Sequence, residues 1–440
     1  MRSSHWNWSR QEYVPGRGIR TIGKKNIINN FCIGISDNEE GCSRCHIGYG
    51  MDGATFDFDD ARNVDCLVCH DTTDTYAQAL AGMPAFNVDL RKVAQNVGRP
   101  QKSNCGGCHF AGGGGNNVKH GDLEQALLTA PRAVDVHMAA DGANLECIGC
   151  HKTENHRILG KLYSVSSMNR ERSDCEQCHT GMPHLSGVLN QHTAKVACQT
   201  CHIPRYAKVN ETKLAWDWST AGRLRNGEPY EQKDAAGNPV YASIKGSFTW
   251  GTNVKPEYVF FNGTASHYVL GDVVPAARPL EINTFHGSYD DPDAKITPVK
   301  IHRGKQIYDP STKMLIQPKL YARTVGEGGF WKDFNWGRAA EEGMRASGLP
   351  YSGRFEFIDT VMYWPVNHMV APKEQAVGCI ECHTRNNSRL ASLGGFYMPG
   401  RDSNNVIDFV GTLAICGAFF GAAIHAAIRI AARRGRRAIA

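Results

Sequence analysis

Spare thiols are nearly absent from this 440-residue chain: of its 16 cysteines, all but Cys32 and Cys416 stand in closely spaced pairs. Two such residues at opposite ends of the sequence carry no disulfide framework. An apolar run near the start is missing too, since Met1 is followed by Arg2, Ser3, Ser4, His5 and Trp6, which offer no export signal. Charge of either sign is not in excess, because the formal +6 includes Arg429, Arg433, Arg434, Arg436 and Arg437 and leaves only +1 before them. Nothing in that balance points to nucleic acid. Gly112, Gly113, Gly114 and Gly115 are followed by no Lys-Ser or Lys-Thr pair, which excludes a phosphate-cradling loop and leaves a flexible turn that a bulky group can approach closely.

What the chain does contain is one pattern, Cys-x-x-Cys-His, seven times. The first four copies are Cys42 with Cys45 and His46, Cys66 with Cys69 and His70, Cys105 with Cys108 and His109, and Cys147 with Cys150 and His151. The other three are Cys175 with Cys178 and His179, Cys198 with Cys201 and His202, and Cys379 with Cys382 and His383. In this pattern the two thiols form thioethers to a haem and the next histidine takes its iron. Each copy therefore predicts one covalent haem c, seven in this chain. Paired Cys-x-x-Cys units also hold tetrahedral zinc, but zinc would not require a histidine directly after the second cysteine in every copy. Covalent haem is attached after export, so the bulk of the chain is expected in a periplasm-like compartment.

Six motifs crowd into residues 42–202, their first cysteines 24, 39, 42, 28 and 23 positions apart. Stretches that short bury no apolar core of their own, so the porphyrins are expected to form it. The expected fold class is mainly α with extensive irregular structure, a multihaem cytochrome c domain with haems as core, plus one C-terminal transmembrane helix. Residues 1–203 read as the haem-rich region and 204–393 as a wrapping segment that ends with the seventh motif. A linker over 394–405, an anchor over 406–430 and a basic cytoplasmic tail over 431–440 follow. The wrapping segment is cysteine-free up to residue 377 and holds Trp216, Trp218, Trp250, Trp331, Trp336 and Trp364 among many Gly, Pro and Tyr residues. It reads as long loops with short helices and a few strand pieces, such as Tyr258-Val259-Phe260-Phe261.

Residues 409–428 contain no Asp, Glu, Lys or Arg, and about 20 apolar residues is the length at which a helix crosses the hydrocarbon core. The arginines that follow place the C-terminus in the cytoplasm. The expected location is therefore the inner membrane, with the haem domain in the periplasm. His425 inside this helix is expected to pack against a membrane partner or to point toward the interface.

Electron-carrying haems fill both axial positions of the iron, so each needs a second histidine. Outside the motifs and the anchor there are ten: His5, His120, His137, His156, His184, His192, His267, His286, His302 and His368. Six or seven of them are expected to bind iron, with His5, His120, His137, His156, His184, His192 and His368 the preferred set. His267, His286 and His302 could equally line a substrate pocket.

Several stretches carry a resemblance. They are Thr21-Ile22-Gly23-Lys24-Lys25-Asn26, Asn29-Asn30-Phe31-Cys32, Cys45-His46-Ile47-Gly48-Tyr49-Gly50 and Asn63-Val64-Asp65-Cys66-Leu67-Val68-Cys69-His70-Asp71. Residues 113–123, Phe261-Asn262-Gly263-Thr264, His302-Arg303-Gly304-Lys305 and Phe396-Tyr397-Met398-Pro399-Gly400-Arg401-Asp402 complete the set. Through them the chain resembles the octahaem tetrathionate reductase family of multihaem c-type cytochromes. The resemblance implies eight haems, the first attached upstream of His5-Trp6, so a signal peptide and one motif are expected before position 1. It also implies that the haem on Cys42 and Cys45 takes a lysine ligand, Lys119 in Val118-Lys119-His120-Gly121-Asp122. An amine binds iron only when deprotonated, which requires desolvation. Whether Lys119 displaces His46 or sits opposite it stays open at this point.

Cys32 is the one spare thiol of the exported part, and the resemblance places it at the active haem. There it would attack a sulfur–sulfur bond as in thiol–disulfide exchange, or serve as a small buried hydrophobe. Lys295, Lys300, Arg303 and Lys305 are candidate cations for an anionic substrate. The implied function is a respiratory reductase that passes electrons through bis-histidine haems to a lysine-ligated haem and reduces tetrathionate to thiosulfate. A nitrite or hydroxylamine reductase is the nearest alternative, although the Cys-x-x-Cys-Lys motif of nitrite reductases is missing; a non-catalytic electron conduit is the other. Implied partners are a small sulfur or nitrogen oxyanion, the membrane, and a quinol-oxidising membrane cytochrome or periplasmic electron donor.

Overall fold

The computed structural model describes residues 5–7, 9–24, 26–31, 34, 38–51, 56–161 and 171–437. Cys32 and Lys25 lie outside them. The chain divides into two units, Met1–Val377 and Gly378–Ala440.

In the first unit the motifs are built on helical turns: Ser43–Cys45, Leu67–His70, Lys102–His109, Cys147–Cys150, Cys175–Gln177 and Cys198–His202. The reason is geometric. With 3.6 residues per turn, positions i, i+3 and i+4 share one face, so both sulfurs and the imidazole point to the same side. The sixth motif follows this rule throughout. Cys201 lies inside its helix, and its carbonyl accepts from the Val377 N–H at 2.9 Å. The fifth motif departs from it, because its turn closes at Gln177. Cys178 caps that turn at φ −128° and ψ −29°, outside helical geometry, and is exposed. Two backbone bonds to the Cys175 carbonyl, from the N–H of Cys178 at 3.2 Å and of His179 at 2.9 Å, still keep the three residues within one turn.

Between the turns the chain is mostly irregular, and its own apolar clusters are small. One gathers Phe110, Leu127, Ala130, Val134 and Met369.

From residue 212 onward the first unit builds a nine-stranded sheet. Its strands are β1 Thr212–Asp217, β2 Glu231–Lys233, β3 Pro239–Ala242, β4 Gly246–Gly251, β5 Glu257–Phe261, β6 Leu280–Glu281, β7 Lys295–Asp309, β8 Met314–Leu315 and β9 Glu356–Pro365. The order is β6-β9-β7-β1-β4-β3-β2, with β5 and β8 also pairing β7. β7 and β9 run antiparallel from Val299↔Pro365 to Tyr308↔Glu356, which sets Lys300 opposite Trp364, His302 opposite Met362 and Gly304 opposite Thr360.

This sheet is more extensive than the strand pieces read from the sequence. The central strand β7 reads Lys-Ile-Thr-Pro-Val-Lys-Ile-His-Arg-Gly-Lys-Gln-Ile-Tyr-Asp, and its alternate residues Lys300, His302, Gly304 and Gln306 are polar or lack a side chain. That row hides the apolar alternation that normally marks a half-buried strand. The apolar core of the unit lies beside the sheet and includes Trp216, Trp218, Ile307, Leu315, Phe330 and Met344. Burying a side chain of this size contributes about 1.5–3 kcal/mol. Helix Trp336–Ala346 turns Ala339, Ala340, Gly343 and Met344 inward, and its start is capped by Asn335, whose side chain accepts from the Arg338 N–H.

The second unit carries the seventh motif on the turn Cys379–Cys382 and then the helix Asn405–Arg437. Residues Asn405–Arg434 of that helix form a 30-residue span that contains an 18-residue window of mean hydropathy 1.9. At 1.5 Å per residue the span is about 45 Å, more than the roughly 30 Å hydrocarbon core. It is a membrane anchor, and the chain before it lies outside the membrane.

Candidate haem sites

Among the described residues, five motif histidines each face a second histidine at nearly one distance. Ring centres are 6.0 Å apart for His109 and His5, 6.2 Å for His70 and His156, and 6.1 Å for His179 and His137. They are 6.3 Å apart for His151 and His368 and 6.1 Å for His202 and His184. Two imidazoles bound on opposite sides of one metal, each nitrogen about 2 Å from it, put their ring centres about 6 Å apart. The residues therefore fit an iron between each pair. The tautomers agree: Nδ1 of His70 donates to the Gly98 carbonyl at 2.7 Å, and Nδ1 of His151 donates to the Leu159 carbonyl at 2.9 Å. Because a carbonyl only accepts, Nδ1 carries the proton and Nε2 keeps its lone pair for a metal. The contact explains Gly160, where a Cβ would lie 2.0 Å from the His151 ring. In the second unit, His383 Nδ1 likewise donates to the Pro399 carbonyl at 2.9 Å.

At four of these rings burial favours the neutral form, the one that binds metal. It holds His109 down to about 3 and lowers His5, His151 and His202. His368 is the exception. Burial pulls its pKa down, but the hydrogen bond from its Nδ1 to Asp122 and the Asp122 charge outweigh that, and the net shift is upward. Thiols of different motifs also adjoin one another: Cys45 with Cys108, Cys105 with Cys147, and Cys175 with Cys198. Among the described residues no group of three or more His, Cys, Asp or Glu gathers closely enough to hold a metal ion.

The first motif departs from this pattern. His46 is fully buried, and its Nε2 donates to the Trp6 carbonyl at 2.8 Å. Its ring stacks on Trp6 at 5.3 Å and meets Phe56 and Phe58 edge-on. The nitrogen that other motifs turn toward a second histidine is thus engaged with backbone.

Lys119 is partly buried nearby. Burial, and then the Lys24 charge, hold its amine down to about 8, opposed by the neighbouring Cys45. Its Nζ lies 4.6 Å from the centre of the Trp364 ring. The glycine turn gives it room, since a Cβ on Gly112 would come within 3.3 Å of the Lys119 stem. Gly113 has φ +81° and lies under the Phe31 ring.

The sheet fixes this loop. Lys300, fully buried on β7, donates to the carbonyls of Val118 (2.8 Å) and Lys119 (3.0 Å) and to Thr212 Oγ1 (2.6 Å). Thr212 in turn donates to the Asn117 carbonyl at 2.6 Å. The same row of β7 holds the segment before Cys32: Asn30 Nδ2 donates to the His302 carbonyl, Gln306 Nε2 donates to the Asn29 carbonyl, and Thr360 Oγ1 donates to Asn30 Oδ1. Lys300 is therefore not a cation facing substrate, as its sequence context suggested; two of its donors are directed at the Lys119 loop and the third at Thr212 of β1. Lys295 and Arg303 are partly exposed and paired with Glu176 and Glu257.

The remaining histidines have other surroundings. His120 is partly buried, edge-on to Trp364 at 5.0 Å. His192 donates through Nδ1 to the Val188 carbonyl at 2.8 Å. His286 faces the hydroxyls of Thr264 and Ser266 at 3.1 and 3.3 Å. Burial holds His267 down to about 4. His302 is fully buried, its ring 4.0 Å from Phe31, and neither ring nitrogen has a hydrogen-bond partner among the described residues. Sequence reasoning did not single out Asp122, Thr212 or Trp6. The stretches containing Trp6 and Asp122 were marked only through the family resemblance.

A family model described as bacterial cytochrome c matches residues 213–386. An uncharacterized protein from Archaeoglobus fulgidus is 31% identical over 165 residues, 33% of this chain and 53% of that one, so the match spans about half that relative's length. The crystal structure of octaheme cytochrome c from Shewanella oneidensis superimposes with a TM-score of 0.82 at 46% identity, covering 89% of this chain and 88% of that one. Likeness that close over nearly the whole of both chains places this protein in the octahaem family of multihaem c-type cytochromes.

Proposed function

We propose that the protein is a membrane-anchored respiratory reductase with seven covalent haems on its seven motifs. In this reading five irons are held by the histidine pairs described above, and the iron of the Cys42/Cys45 haem takes Lys119 in place of His46. The observation that carries it is the contrast at His46, whose Nε2 is bonded to Trp6 while a desolvated lysine amine lies beside Cys45. The haems supply electrons one at a time and an iron with one face open to a ligand. The chain's residues do the rest. The cysteine pairs fix each macrocycle, the facing histidines seal five irons against substrate, and Lys300 with Thr212 holds Lys119 in one position.

Tetrathionate is the substrate this reading favours. Two electrons break its central sulfur–sulfur bond and leave two thiosulfate anions, with no proton consumed. Cys32, which follows Phe31 in the sequence and lies outside the described residues, is proposed to stand at that bond. Nitrite or hydroxylamine is the second reading. Both require protons, and the observation in its favour is His302, a buried imidazole against Phe31 whose two nitrogens have no hydrogen-bond partner among the described residues.

Purified protein with haem quantified by the pyridine haemochrome method should reduce tetrathionate faster than nitrite or hydroxylamine. The reverse ranking would select the second reading, and no turnover with any of them would leave an electron conduit. His46→Gln, in molecules that carry a full haem complement, is expected to leave the ligation of every iron unchanged. A new high-spin signal would return His46 to the iron.

A further inference from the structure

We propose that Asp122 tunes the haem held between His151 and His368, its buried carboxylate lowering that haem's midpoint potential. The inference rests on the pairing of His151 with His368 proposed above, and it concerns a residue with no part in that pairing itself.

Asp122 is 1% exposed. Its Oδ2 accepts three hydrogen bonds, from the backbone N–H of Asn367 at 2.7 Å, the backbone N–H of His368 at 2.9 Å and the imidazole Nδ1–H of His368 at 3.1 Å. Those bonds fix both the backbone and the ring of His368 from a segment 245 positions away. Other pair members differ in kind. His70 and His151 donate Nδ1–H to neutral carbonyls, and Nδ1 of His137 stands 3.9 Å from Asp135, beyond hydrogen-bond reach.

A carbonyl fixes a tautomer and does little more. A carboxylate draws the Nδ1 proton toward itself, which leaves Nε2 a stronger donor and favours oxidised over reduced iron. Burial matters here because a negative charge in low dielectric is poorly screened. The position gives the effect a use. Cys147 of this motif adjoins Cys105, and Cys108 adjoins Cys45, so the tuned haem stands two motifs from the Lys119 haem along a line of touching thiols. A haem of lowered potential gives up its electron readily, as a donor toward that site must.

The test is a spectroelectrochemical titration of the full-length holoprotein. His368→Met first identifies the haem by the loss of one bis-histidine low-spin signal. Asp122→Asn, which keeps the shape and an acceptor but removes the charge, should then raise the midpoint of that same haem and leave the others in place. Asp122→Glu keeps the charge and should hold the midpoint near its wild-type value, and it stands in if Asp122→Asn fails to mature, in which case a midpoint displaced upward with Glu overturns the proposal. An unchanged midpoint in Asp122→Asn overturns the tuning while the histidine pairing survives. An unaltered low-spin spectrum in His368→Met overturns the pairing, and the tuning with it.

Discussion

Residues 42–202 and residues 212–365 divide the work of the first unit in opposite ways. The motif-dense stretch contributes thiols and imidazoles on short helical turns with little apolar packing of its own, and four of the five histidine pairs lie wholly before residue 203. The sheet region contributes a packed core and a rigid strand row, and it reaches into the haem region at several places. Among them are Lys300, beneath the Lys119 loop, the segment around His368, which follows β9, and Ile296 of β7, whose carbonyl accepts from Thr200 Oγ1 in the sixth motif. The Lys119 loop, where the exceptional ligand is proposed, is fixed from the sheet by the Lys300 amine. A ligand that must stay desolvated and unprotonated needs a scaffold that porphyrin contacts alone do not provide.

That contrast can be broken most severely at Lys119. Lys119→Met should lower turnover by more than about 100-fold, beyond the 10–100-fold typical of residues that only support a metal ligand, and change the spectrum of one haem with haem content unchanged. Full turnover would remove the exceptional site altogether. Phe330→Ala probes the other side: Phe330 is fully buried and stacks on Trp336 at 3.8 Å, so its loss should cost about 3–5 kcal/mol of stability. The spectra of the five paired haems should not move, and denaturant titration followed in parallel by tryptophan and Soret signals would show it.

Lys300→Met joins the two regions. It leaves two buried carbonyls without their donor, for about 1–3 kcal/mol, and should lower turnover by roughly 10–100-fold through the altered Lys119 haem. A stability loss with normal turnover would reduce Lys300 to a packing role. Thr212→Val is the mildest case, expected at about 1 kcal/mol with a small loss of turnover, because Lys300 keeps its other two acceptors.

The parts legible in the sequence were those with a strict covalent or compositional rule. The seven motifs announced themselves by spacing, and the helical turns that carry them follow from it. Even so, spacing did not reveal that Cys178 falls just outside its turn while Cys201 stays within its helix. The C-terminal helix followed from 20 uncharged residues, although its ends at Asn405 and Arg437 extend past them. The sheet was hidden because β7 uses Lys300, His302, Gly304 and Gln306 where an ordinary strand places apolar residues, and because a polar row is recognised only once its partners are in place. Lys300 was misread for the same reason: a lysine near a histidine looks like a substrate cation until Val118, Lys119 and Thr212 close around it. Which histidines face which motif depends on contacts as distant as His5 with His109 and His151 with His368, and no local pattern encodes them.

The most direct measurement is near-infrared magnetic circular dichroism of the fully oxidised wild-type protein, calibrated against total haem. Bis-histidine irons and a lysine-ligated iron absorb at different energies, so the haems can be counted by ligand type. The expected result is that the haem whose signal moves in Lys119→Met lies, in the wild type, outside the bis-histidine band that holds the five paired haems. A spectrum in which every haem falls inside the bis-histidine band would contradict the central claim.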